Sequence, residues 1–344
     1  MYIPVEKLKW MYETMVKIRY FEETIASIYA EGKSPIFNIG HGTIPGEMHL
    51  AVGQEPTAVG MCVHLQSQDT VTGTHRPHHH AIAKGVNLRK MAAEIFGKET
   101  GLCKGKGGHM HLFDPAVKFS CGGIVAADLP HAVGAALAAK MNGMSSVAVA
   151  FIGEGAANSG AFHESLNLAA LWKLPFILVV EDNHYGISVS KSRSTSIDSN
   201  ASRASSYGIP GMYVKNNDLL KMYHVCEEAV CRARRCEGPT LIEIETYRYH
   251  GHCPADKEVY RDKEEVQELR LRDPIERLKK HLLKENLAIP DEISVLEINA
   301  QNEVDDAISF ARNSAYPNPK AALEDLFEPE TTESNTPAQH LFSK

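Results

Sequence analysis

Val147-Ala-Val-Ala-Phe-Ile152, running into Gly153-Glu154-Gly155-Ala156-Ala157-Asn158, and Phe176-Ile-Leu-Val-Val180, running into Glu181-Asp182-Asn183-His184-Tyr185-Gly186, decide how this chain folds. Both apolar runs have strand length and no polar alternation, the pattern of strands covered on both faces. Between them, Phe162–Leu174 carries apolar residues at helical spacing, so the order is strand, helix, strand. A right-handed crossover of this kind brings both strand ends to one edge of a parallel sheet. The expected fold class is therefore α/β, a mainly parallel sheet with helices on both faces. Such folds bind ligands outside the carboxyl ends of their strands, where Glu154 and, 29 positions on, Asn183 are both expected.

Those residue types suit a particular ligand. Glycines at 153 and 155 let backbone approach a phosphate, the helix that follows contributes amide donors, and the Glu154 carboxylate with the Asn183 amide oxygen offers hard oxygen ligands. Together they suit Mg²⁺ holding a diphosphate. From spacing alone, the same residues also suit a tight strand-to-helix turn followed by an Asn-containing turn, because Gly-x-Gly is common.

Working outward, residues 6–31 place Leu8, Met11, Tyr12, Met15, Ile18, Phe21, Ile25 and Ile28 at helical spacing before Gly32, which predicts a helical arm over residues 1–33. Residues 34–53 are rich in Gly, Pro and His and read as a loop before a helix near 54–65. Residues 70–80 read as a short strand opening into a loop, 87–97 as helix, 101–111 as a Gly, Lys and His loop, and 129–141 as an Ala-rich helix. Nine serines mark 188–206 as a mobile loop. A helix within 212–237, a third strand within 239–246, a charged helix over 262–285 broken at Asp273-Pro274 and an amphipathic helix over 302–315 complete the main domain, 34–320. The remainder, 321–344, is expected to be a disordered tail.

Composition removes several function classes. Lys plus Arg is 36 against 43 Asp plus Glu, a formal charge of −7, which gives no global field for nucleic acid or an anionic membrane. No apolar run approaches the ~20 residues that span a bilayer. Residues 1–9 lack the basic start and apolar centre of a secretory signal. Seven cysteines without a Cys-x-x-Cys pair read as reduced thiols. A cytoplasmic location is expected. The adjacent His78, His79 and His80 suggest zinc, but three neighbouring side chains do not converge as tetrahedral ligands on ordinary backbone.

The motifs resemble one family in order along the chain. Gly153–Asn158 followed by Asn183 resembles the thiamine-diphosphate motif, a Gly-Asp-Gly start and an Asn-Asn end. Phe162-His-Glu-Ser-Leu-Asn-Leu-Ala-Ala-Leu-Trp-Lys-Leu-Pro175 resembles the alpha subunit of the decarboxylating component of 2-oxo acid dehydrogenases, of pyruvate or acetoin dehydrogenase type. The likeness continues through Gly53-Gln54-Glu55, Thr74-His75-Arg76, Cys103-Lys-Gly-Lys-Gly-Gly108, Tyr207-Gly-Ile-Pro-Gly211 and Thr246-Tyr-Arg-Tyr-His-Gly-His252, covering residues 6 to 320.

The resemblance implies a thiamine-diphosphate-binding fold and oxidative decarboxylation of a 2-oxo acid such as pyruvate, with acyl transfer to a lipoyl acyltransferase. It implies Mg²⁺ held by Glu154, Asn183 and the Tyr185 carbonyl. His75 and Arg76 match the segment that grips the terminal phosphate, and a guanidinium has the fixed fork of donors for it. Gly155 and Ala156 would meet phosphate through backbone amides. Ile124 and Val125 match the segment that props the aminopyrimidine, although alone they would read as ordinary core residues. His49 and His252 match catalytic histidines at the mouth of the family's site, His252 also contacting phosphate; an isolated histidine is more often structural. A beta subunit in an α₂β₂ heterotetramer completes the family's site.

Three departures qualify this. Glu154 stands where Asp is more frequent, although branched-chain members share Gly-Glu-Gly. Glu47 in Gly46-Glu-Met-His49 puts a negative charge near the substrate's way in, which favours neutral acetoin over an anionic acid. Cys253 stands where animal mitochondrial relatives carry a regulatory serine. Two other readings were weighed: a non-catalytic cofactor-binding or regulatory subunit, and a Rossmann nucleotide-binding protein, which would need an acidic residue about 20 positions after the glycines. The segments 188–206 and 254–262 are expected to order over a bound cofactor.

Overall fold

The computed structural model describes residues 2–33 and 38–325 of the chain. Its strands are β1 (Thr70–Gly73), β2 (Phe113–Asp114), β3 (Phe119–Cys121), β4 (Ala148–Gly153), β5 (Phe176–Asp182), β6 (Tyr185–Gly186), β7 (Val189–Ser190), β8 (Gly211–Val214) and β9 (Thr240–Glu245). Its helices are α1 (Val5–Ala30), α2 (Glu55–Cys62), α3 (His78–Lys84), α4 (Leu88–Ile95), α5 (Asp128–Met141), α6 (Gly160–Leu171), α7 (Lys191–Ser194), α8 (Leu219–Arg234), α9 (Lys263–Arg270), α10 (Pro274–Lys284) and α11 (Pro290–Asn313).

Seven strands form one sheet in the order β2-β3-β1-β4-β5-β9-β8, parallel throughout except for the β2–β3 pair. The two runs that opened the sequence reading are its centre, with Val149 beside Ile177 and Phe151 beside Val179. Because a strand turns successive side chains to opposite faces, each run feeds two cores. Val149, Phe151, Ile177 and Val179 join a large cluster with residues of α1, α2, α4, α8, α10 and α11. Ala148, Ala150, Ile152, Phe176, Leu178 and Val180 join a second cluster with residues of α5 and α6. The expected α/β architecture, a mainly parallel sheet with helices on both faces, is what the chain adopts. No helix among the described residues is long and apolar enough to cross a membrane.

The N-terminal helix, expected as an arm, lays Leu8, Met11, Met15, Ile18, Phe21 and Ile25 into the larger cluster. The charged helix breaks where expected. Pro274 has no amide to continue the bond ladder, and the Asp273 carboxylate accepts the Ile275 amide at 2.9 Å to cap α10. Four details differ from the sequence reading. The segment after β1, expected as loop through 80, becomes helix at His78. The helix expected over 302–315 begins twelve residues earlier, at Pro290. The outer strands of the sheet, β2 and β3 on one side and β8 on the other, lie where the sequence pattern predicts no strand.

The fourth difference is the serine-rich segment, which contains a strand, a helical turn and a 3₁₀ turn over Asn200–Tyr207. Its anchor is remote in sequence. The fully buried Glu243 carboxylate on β9 accepts Lys191 Nζ at 2.8 Å, the Ala201 amide at 3.1 Å, Asn200 Nδ2 at 3.3 Å and the Ser199 hydroxyl. Of the tail, residues 321–325 are described: a 3₁₀ turn over Pro319–Leu323 ends beside the glycine-rich loop, where Asp325 pairs with Lys104 and Lys106 at 2.9 Å. The rest of the expected tail, and residues 34–37 at the start of the expected main domain, lie outside the described residues.

Replacing Glu243 with alanine leaves Lys191 with Asp182 as its carboxylate partner and takes away the buried charged acceptor that Ser199, Asn200 and Ala201 share, a large penalty for a single substitution. Limited proteolysis of E243A is expected to cut within 191–207 at least tenfold faster than the parent, with the far-ultraviolet circular dichroism of the sheet core retained.

Candidate functional site

Four adjacent strands, β1, β4, β5 and β9, end at the same edge of the sheet, and each delivers polar groups just beyond its last residue. After β1 come Thr74, His75 and Arg76; after β4, Glu154, Gly155 and Ala156; after β5, Asn183 and Tyr185; after β9, Arg248 and His252. All line one cavity of about 290 Å³, together with Gly122, Ile124, Val125, Asp128 and Ile187. Every residue singled out from the sequence lies on this wall except His49, which stands directly behind it. The His49 ring packs against His75 and His252, its centroid 4.8 Å from each.

Glu154 opens a 3₁₀ turn over Glu154–Asn158 and is 2 % exposed. One carboxylate oxygen accepts the Asn183 amide at 3.3 Å, and the other, Oε1, is buried without a partner. Burial, reinforced by the charge of Asp182, pushes this carboxyl up to about 7. Asn183 is fixed by a residue the motif spacing did not single out: its Nδ2 donates to Gln54 Oε1 at 3.0 Å, which assigns Oδ1 as the acceptor of the Tyr185 amide at 3.3 Å. Tyr185 and Gly186 form a two-strand hairpin with Val189 and Ser190, flanked by left-handed backbone at His184 (φ 74°) and Ile187 (φ 56°). Gly155 faces this hairpin closely: a Cβ there would lie 3.7 Å from the Gly186 Cα.

Opposite this oxygen-rich corner lie two arginines. Arg76, 3 % exposed, donates to the Leu50 carbonyl at 2.5 Å and the His252 carbonyl at 3.2 Å. Arg248, 1 % exposed, donates to the Tyr260 hydroxyl at 2.7 Å and to the Ile187 carbonyl, and its Nε has no partner. Neither guanidinium forms an ion pair among the described residues. Burial, with the charge of Arg248, pushes Arg76 down to about 10. The sequence reading passed over Arg248 although it stands three residues beyond the end of a parallel strand, the position rule that located Glu154 and Asn183.

The histidines between these corners are held neutral. Burial, followed by the charge of Arg76, pushes His49 down to about 3, His75 to about 2 and His252 to about 4. Ile124 and Val125, which alone read as core residues, are 76 % and 65 % exposed on the cavity wall. Of the three adjacent histidines, His79 and His80 both reach Glu181, at 2.8 and 3.2 Å, while His78 turns to Glu22 at 3.3 Å. They do not converge as a trio.

The cavity thus combines two cations short of anionic partners, a carboxylate with a free oxygen, an oriented amide oxygen and a close pair of glycines. A diphosphate with a divalent cation satisfies all of these at once. Comparison with known proteins points the same way. The family model described as dehydrogenase E1 component matches residues 33–320. The chain is 43 % identical over 324 residues to the alpha subunit of acetoin:2,6-dichlorophenolindophenol oxidoreductase from Bacillus subtilis, covering 94 % of each protein. It is 40 % identical to the chloroplastic pyruvate dehydrogenase E1 component subunit alpha-3 of Oryza sativa, covering 92 % of this chain and 75 % of the other. It is 38 % identical to the pyruvate dehydrogenase E1 component subunit alpha of Rhizobium meliloti, covering 92 % and 88 %. With a fold, a cavity and a matching length in agreement, the chain belongs to the dehydrogenase E1 component family.

Proposed function

We propose that this chain is the alpha subunit of a thiamine-diphosphate-dependent dehydrogenase that oxidatively decarboxylates a 2-oxo acid of the pyruvate type and passes the acyl group to a lipoyl acyltransferase. The observation that carries this reading is the convergence of two unpaired, buried guanidiniums with the free oxygen of Glu154 on one cavity. Thiamine diphosphate, when bound, supplies an electron sink for the pair released as the bond to CO₂ breaks.

The chain's own residues bind and orient. Glu154, the Asn183 amide oxygen and the Tyr185 carbonyl are assigned to Mg²⁺, three hard oxygens in keeping with its octahedral preference. Arg76, joined by Arg248, takes the diphosphate charge, with His75 and His252 as neutral hydrogen-bonding groups beside it and the Gly155 and Ala156 amides completing the cradle. Ile124 and Val125 offer an apolar prop for the aminopyrimidine. His252 on the cavity wall, with His49 packed behind it, is assigned to proton exchange with the acyl-bearing substrate. The alpha-subunit names of the relatives support a beta subunit, and we assign an α₂β₂ assembly with the cofactor between chains. Seven free thiols support a cytoplasmic location.

A second reading, cleavage of acetoin, is favoured by the Bacillus subtilis relative and by Glu47, exposed two residues before His49. The deciding experiment co-purifies the chain with its beta subunit and supplies thiamine diphosphate, Mg²⁺ and an artificial electron acceptor. Turnover of pyruvate is the expected result. Turnover of acetoin alone moves the assignment to the second reading, and silence on pyruvate, acetoin and branched 2-oxo acids despite bound cofactor makes the chain a non-catalytic binding subunit.

Glu154→Ala or Asn183→Ala should abolish Mg²⁺-dependent binding of thiamine diphosphate in calorimetry while leaving the circular dichroism unchanged. Arg248→Ala should weaken it by roughly a hundredfold, the loss of a charge-assisted contact in a dry site.

The neutral histidines also fix an acid response. Their folded-state values lie below the ordinary 6.5 or so, so the unfolded chain binds more protons in acid. Stability is therefore lost as pH falls from about 6.5 toward about 4, where His252 takes its proton in the fold. In the cofactor-free chain the melting temperature should drop between pH 6.5 and 5, and the His49→Asn, His252→Asn double variant should show a shallower drop. Equal slopes in the two proteins would remove these histidines from the acid response.

A further inference from the structure

The glycine-rich loop that follows α4 is folded around a buried carboxylate. Glu94 is fully buried, and its two oxygens accept four backbone amides: Cys103 at 2.7 Å and Gly105 at 2.9 Å on Oε2, Gly107 at 2.7 Å and Gly108 at 3.2 Å on Oε1. The glycines are what let the loop close so tightly. A Cβ on Gly101 would fall 2.4 Å from Glu94 Oε2, and Gly105 takes left-handed backbone (φ 75°) while pressed against Gly97.

The far end of the loop is pinned as well. The Cys121 thiol donates to the Met110 carbonyl at 3.3 Å, and Cys121 and Leu112 pair through backbone at 3.1 Å. Between these two anchors sits His109, 5 % exposed, with Nε2 at 3.2 Å from Nδ1 of His49. One imidazole donates and the other accepts, so His109 holds the His49 ring through Nδ1 and couples the tautomers of the two rings. His49 in turn packs edge-on against His75 and His252 on the cavity wall.

We propose that Glu94 and His109 are positioning residues for the reaction: Glu94 sets the glycine-rich loop, the loop presents His109, and His109 sets the orientation of His49 behind the cavity wall and couples to its tautomer. This rests on the assignment of His49 made under the proposed function. Neither residue lines the cavity, so both act through His49 and leave cofactor binding to the arginines and the oxygen corner.

Three variants of the full chain, E94Q, H109A and H109Q, test this in complex with the beta subunit and, separately, without cofactor. In the loaded complex H109A and E94Q should lower kcat by roughly ten- to a hundredfold with the KM for thiamine diphosphate within twofold of the parent. H109Q, whose amide reaches the place of Nε2 and can still bond the His49 ring, should recover most of the loss. In the cofactor-free chain, hydrogen exchange followed by mass spectrometry should accelerate across 101–111 in E94Q and stay at the parental rate there in H109A. Unchanged kcat in H109A, a loss confined to the cofactor KM, or no rescue by H109Q overturns the proposal, as does parental exchange in E94Q. If the parent complex turns over no substrate, it is the assigned function that fails. The link itself is then read from the imidazole nitrogen signals of ¹⁵N-histidine-labelled chain: displacement of the His49 signals in H109A supports it, and unmoved signals overturn it.

Discussion

Two like charges held out of water in one cavity set the terms for the rest of the molecule. Arg76 and Arg248 are both nearly inaccessible, neither has a carboxylate partner, and Arg248 raises the cost of the charge on Arg76. Carbonyls of Leu50, His252 and Ile187 offset part of that cost. The rest is left for an anion to offset, which is how a preformed site differs from a settled core. The sheet makes this arrangement possible. Parallel strands joined by crossovers end together, so groups separated by 172 positions in the chain, Arg76 after β1 and Arg248 after β9, reach one cavity across the tips of β4 and β5.

Around that edge, buried carboxylates organise segments that have little packing of their own. Glu181 gathers Thr57 from α2 and His79 and His80 from α3 onto the end of β5. Glu243 ties down the serine-rich segment, and Glu94 does so for the glycine-rich loop. Each acid sits on a regular element; the partners of Glu181 come from two helices, whereas those of Glu243 and Glu94 lie on the serine-rich segment and the glycine-rich loop. Loops rich in serine or glycine bury too little apolar surface to hold a single shape, and hydrogen bonds to a charged acceptor in a dry setting are the stronger kind.

What could be read from the sequence follows from this. The central strands were legible because burial on both faces leaves an unbroken apolar run, and the oxygen corner was legible because Glu154 and Asn183 lie just beyond such runs. The serine-rich segment was misread as loop because its organiser, Glu243, lies more than forty positions away in the chain and is itself a charged residue inside a strand. Arg248 was passed over because its meaning depends on β9 lying next to β5, a neighbour relation that no local pattern records. Gln54 shows the same limit, since an amide that orients another amide leaves no periodic trace. Ile124 and Val125 carry an apolar signature that predicts burial, yet the chain leaves them on a cavity wall.

Those two side chains change how the protein behaves in dilute solution. Covering an exposed aliphatic side chain is worth roughly 1.5–3 kcal/mol, and here two of them stand at 76 % and 65 % exposure on the rim of the same hollow that holds the arginines. Whatever surface covers them gains that free energy at the spot where the chemistry is done. With that rim uncovered, an isolated chain carries two exposed aliphatic side chains beside its polar hollow, a patch that favours adhesion to other apolar surfaces.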